Sequence, residues 1–76
     1  SVTFSSNSAG TATVESGTTT KHITFSSELP QTPLINLTPK DFITGGYKVT
    51  NETPTGFDIE LSEPQTSDVE FSWQAL

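Results

Sequence analysis

The run from Asp68 to Leu76 constrains this chain more than any other stretch. Val69, Phe71, Trp73 and Ala75 alternate there with Glu70, Ser72 and Gln74. A period of two puts the apolar set on one face of an extended strand and the polar set on the other, the pattern of an antiparallel sheet with one buried side. The alternation recurs upstream. Phe57, Ile59 and Leu61 alternate with Asp58 and Glu60, and Tyr47 and Val49 with Lys48 and Thr50. Ile35 and Leu37 alternate with Asn36 and Thr38, entered through Pro33 and left through Pro39, and proline is tolerated at strand ends. Ile23 and Phe25 alternate with His22 and Thr24, with Lys21 at a frayed start, and Thr11 to Val14 forms a weak first strand after Gly10. No segment carries apolar residues at helical spacing over three turns.

These pieces predict an all-β fold, a six-stranded antiparallel β-sandwich of two sheets packed face to face. Glu15 to Thr19, Asn51 to Gly56 and Ser62 to Ser67 read as short turns between antiparallel neighbours. A turn centred near Thr53 sets Lys48 opposite Asp58. A turn centred near Gln65 sets Glu60 opposite Glu70, a like-charged pair that solvent, a cation or a lysine from a neighbouring subunit would have to relieve.

A sandwich this small is marginal alone. For a chain of 8.2 kDa, burial on folding contributes roughly 110 kcal/mol, and ordering the backbone and side chains costs roughly 114 kcal/mol. Small domains resolve such a tie with disulfides, metals or association. The chain has no cysteine and one histidine, His22. Disulfides, thiolate sites and multi-histidine metal centres are therefore excluded, and association is the expected solution.

Nine acids against three lysines, with no arginine, give a net charge of −6. That balance argues against nucleic acid or an anionic membrane as partner, and no apolar run is long enough for a membrane helix. The chain shows no signal segment and no initiator Met, which suggests a fragment or processed piece of a longer protein, with residues 1–76 as one domain.

Catalytic constellations are not evident. No Gly-x-Ser-x-Gly elbow, phosphate loop, EF-hand or zinc spacing occurs. The acids fall on strand exteriors and turns, and His22 has no acid partner evident from the sequence. The expectation is a non-enzymatic domain without cofactor or metal. Asn36-Leu-Thr38 and Asn51-Glu-Thr53 match the glycosylation pattern, as chance allows in a chain so rich in Thr. Trp73 and Tyr47 could stack on sugars, but alternation places both on the apolar face, where core packing is expected. Phe42 and Ile43 lie in a Gly-bounded loop and either tuck under the sandwich or contact another subunit. Asp41, Asn51 and Asp68 are loop residues able to accept sugar hydroxyls.

The segments Ile23-Thr-Phe-Ser26, Pro33-Leu-Ile-Asn-Leu37, Asn51 through Thr55-Gly-Phe57 and Val69-Glu-Phe-Ser-Trp-Gln-Ala75, in that order, resemble the H-type lectin-like domain. Gly10-Thr-Ala-Thr-Val14 with Gly17-Thr18 is similar to the opening of related modules at the C-terminal ends of phage tail spikes and fibres. The resemblance implies a parallel homotrimer on a virion or in an extracellular setting. It implies a C-terminal trimerisation and capping role, possible contact with host-surface glycan, and alternatively a lectin-like module binding a bacterial or animal saccharide. Animal members bind N-acetylgalactosamine through an acid in an N-terminal loop, an arginine, and a His or aromatic near the last turn. Here there is no arginine, Ser16-Gly17 is followed by Thr18, and Ser62 to Asp68 holds neither His nor aromatic. That pocket does not carry over.

Overall fold

Alternation becomes layering in the computed structural model, which describes residues 9–76. The first eight residues, counted with the domain on sequence grounds, lie outside the described residues. Six strands follow: β1 (Ala9–Val14), β2 (Thr20–Thr24), β3 (Ile35–Pro39), β4 (Tyr47–Thr53), β5 (Gly56–Leu61) and β6 (Val69–Ala75). They form two three-stranded antiparallel sheets in a sandwich-like arrangement. The first sheet has the order β1-β6-β3 and the second β2-β5-β4.

The central strands carry most of the core. β6 buries Val69, Phe71, Trp73 and Ala75, and β5 buries Phe57, Ile59 and Leu61. Ala12 and Val14 from β1, and Phe25 just past β2, complete the buried set. Phe25, Phe57 and Trp73 form an aromatic knot, with centroid separations of 5.9, 5.6 and 5.4 Å. Each large side chain so buried contributes about 1.5–3 kcal/mol. Gly10 sits opposite Trp73 in the β1–β6 ladder, and a Cβ there would lie 3.0 Å from the indole. The small residue makes room for the large one.

Two expected pairings are corrected. β5 and β6 do not pair; each is the centre of a different sheet, so Glu60 and Glu70 are not opposite. Each has a lysine instead: Lys48 Nζ lies 3.3 Å from Glu60, and Lys40 Nζ 3.6 Å from Glu70. Lys48 is opposite Glu60 rather than Asp58, and Asp58 faces Thr50. The cause is local. The β4–β5 turn contains only Pro54 and Thr55, and β4 bulges between Thr50 and Thr53. Asn51 sits in that bulge at φ +56°, a left-handed conformation that Asn tolerates better than most residues. The β1–β2 and β5–β6 connections, expected to join paired neighbours, cross between the sheets, leaving β4–β5 as the hairpin.

Lys21 is a full member of β2 rather than a frayed residue. It alternates with Ile23 on the inner side and reaches Glu15 at 3.5 Å. Trp73 is buried as expected. Tyr47 leans its ring on Phe71 at 5.5 Å, yet stays exposed because it starts an edge strand.

Candidate functional site

The loop residues singled out in the sequence turn out to hold the fold together. Asp41 accepts from the Glu70 N–H at 3.0 Å, beside the Lys40 N–H to Glu70 carbonyl bond of 2.7 Å. Its carboxylate prolongs the β3–β6 ladder where the chain leaves the sheet. Asp68 accepts from the Ser16 N–H at 2.9 Å, fastening the β1–β2 loop. Asn51 donates its side-chain amide to Asp58 at 2.8 Å. The three candidates are thus engaged in three separate internal bonds. Phe42 and Ile43 part company: Ile43 packs against the core, while Phe42 stands fully in solvent.

His22 has the acid partner that its sequence neighbourhood did not reveal. Register places it directly across from Asp58, and Nδ1 donates to Asp58 Oδ1 at 2.6 Å. Asn51 occupies the other carboxylate oxygen. The Asn51 bond, then the His22 bond, hold the Asp58 carboxyl below its usual range. This cluster ties β2, β5 and β4 together on the outer face of the second sheet. An imidazole oriented by a carboxylate is also half of a catalytic relay, but a relay needs a nucleophile placed on the imidazole. Among the described residues, the hydrogen bond of His22 is to Asp58, and no hydroxyl is bonded to the ring. A period-two reading shows His22 and Asp58 both pointing outward; it cannot show that β2 lies beside β5.

The first sheet presents a different outer face. Register aligns Asn36, Gln74 and Ala9 across β3, β6 and β1, and aligns Thr38, Ser72 and Thr11 in the next row. At one end Leu34 and Leu76 exchange both backbone hydrogen bonds, at 3.0 and 2.8 Å, and both side chains are largely exposed. At the other end stand Lys40 and Glu70. Among the described residues, Asn36, Thr38, Ser72 and Gln74 make no side-chain hydrogen bond.

An open depression of about 510 Å³ lies on the second sheet, lined by Gly46, Tyr47, Lys48, Glu60, Leu61 and Ser62. Sequence alternation assigned Tyr47 to the core; its place at the end of an edge strand, not its pattern, brings the ring to this rim.

Comparison with protein-family models, curated proteins and solved structures finds no match to the chain.

Proposed function

We propose that this chain is a non-enzymatic association domain, a homotrimerisation and end-capping module of the kind that closes phage tail spikes and fibres. One observation carries the reading. A core only one layer thick coexists with four large apolar side chains in water: Leu34, Phe42, Tyr47 and Leu76. A domain near the lower limit of self-sufficiency gains most by covering such groups with copies of itself. The six-stranded antiparallel architecture agrees with what the lectin-like resemblance implies. In this role the domain holds its parent chains in register. Sedimentation velocity of the 76-residue chain at micromolar concentration is the test: a trimer is expected, and a folded monomer overturns the proposal.

A second reading has its own observation. Tyr47 offers an exposed aromatic face beside the Lys48–Glu60 pair in the open depression. Stacking and charged hydrogen bonds from such a rim suit a saccharide, making the chain a carbohydrate-binding module. Glycan-array binding that is lost in Tyr47→Ala supports it; no binding to any glycan removes it.

A further inference from the structure

The outer faces of the two sheets differ in how they would meet a copy of themselves. On the second sheet the exposed rows carry Lys48, Glu60, Asp58 and His22, already committed to internal pairs. On the first sheet two successive rows carry Asn36, Gln74, Thr38, Ser72 and Thr11, all uncharged.

We infer that the outer face of the first sheet, with the Leu34–Leu76 end, packs against further copies of this chain and turns toward their symmetry axis. The inference rests on the association reading above and locates its interface. Symmetry supplies the first argument. Around a rotation axis, the residues nearest the axis meet their own equivalents. A carboxylate or ammonium placed there meets its like and repels. Amides and hydroxyls carry both a donor and an acceptor, so each is complementary to a copy of itself.

Overall charge supplies the second. Each copy brings −6, so copies approach at least cost through a surface that adds none of it. The Lys40–Glu70 pair at the far end of this face is internally neutral.

Three of the four edge strands, β1 excepted, supply the third. Pro39 ends β3, the Asn51 bulge breaks β4, and inward Lys21 guards β2. Such features oppose strand-to-strand addition, which favours association through a face. The Leu34–Leu76 pair gives that face an apolar anchor.

Matched substitutions test this. Thr38 and Thr20 are both exposed threonines on edge strands, one per sheet. Sedimentation equilibrium of wild type, Thr38→Lys, Gln74→Glu and Thr20→Lys reads the association constant, with circular dichroism confirming that each retains the wild-type sheet signal. Thr38→Lys and Gln74→Glu are expected to weaken association by roughly tenfold or more, and Thr20→Lys to leave it unchanged. Undiminished association in Thr38→Lys and Gln74→Glu, or loss in Thr20→Lys alone, overturns the assignment while leaving an oligomer in place. A wild type that is monomeric throughout overturns the association reading itself. Gln74→Glu, nearly isosteric, serves if Thr38→Lys does not fold.

Discussion

The side chain of Gln65 pairs with the backbone of Thr44 as a neighbouring strand would. Its Nε2 donates to the Thr44 carbonyl at 2.8 Å, and its Oε1 accepts from the Thr44 N–H at 2.8 Å. The Gln65 carbonyl meanwhile accepts from the Gly17 N–H at 2.9 Å. One residue thus fastens three loops that cross between sheets. Replacing it with Ala removes both of these amide bonds and the Nε2 bond to the Glu63 carbonyl at 3.0 Å, while the backbone bond stays. Gln65→Ala is expected to lose about 1 kcal/mol, less than three buried bonds would, because the site is exposed. Urea denaturation checks this, and an unchanged midpoint would mean water replaces the clamp at no cost.

Gly56 begins β5 under the backbone of β2, and a Cβ there would overlap the Ile23 carbonyl oxygen. Backbone cannot rotate aside as a side chain can. Gly56→Ala is expected to destabilise by about 1–3 kcal/mol. Gly46→Ala, where a Cβ meets nothing within 4 Å, should stay within about 0.5 kcal/mol. Thermal melts of the two variants give the comparison, and equal melting temperatures would refute the close approach.

Phe71 and Phe42 show the two uses of the same side chain. Phe71 is fully buried, whereas Phe42 is wholly exposed. Phe71→Ala should cost about 3–5 kcal/mol, a large share of the stability of a small domain. Phe42→Ala should leave the subunit's fold intact. Chemical denaturation of both variants separates the cases; a comparable loss in Phe42→Ala would place that ring in the folded core.

Asp58 ties stability to acid. Its carboxyl is held below the usual value, first by the Asn51 amide and then by His22. A lowered folded-state pKa contributes stability that is present above the unfolded value of about 3.9 and is lost as pH falls through the folded value. Asn51→Gly keeps the left-handed backbone at φ +56° while removing the amide. This variant should be less stable than wild type at neutral pH, and the gap should narrow on acidification below about pH 4. Denaturation curves over that range decide it; a gap constant with pH would detach the Asn51 bond from Asp58 ionisation.

Much of the strand content was legible because alternation is local. Val69, Phe71, Trp73 and Ala75 are inward on β6, as are Phe57, Ile59 and Leu61 on β5. Neither set needs a neighbour to be identified. The candidate site was far less legible. Asp41, Asn51 and Asp68 drew attention as polar loop residues, but their roles depend on the backbone groups that approach them. Gln65 drew none, because nothing local distinguishes a clamping amide from a solvated one.

The amino-acid order alone determined how many strands form and which side chains share a face, since a side chain's face follows from its position along one extended backbone, whereas the exposure of Tyr47 followed from its place on an edge strand. Tertiary structure decided which strands are neighbours. It set β2 beside β5, joining His22 to Asp58 across 36 residues, and it parted β5 from β6 despite their short connection. Backbone hydrogen bonds are the same in every strand, so they cannot select partners. Selection came from covering both apolar sheet faces at once, a condition met only when all six strands are in place.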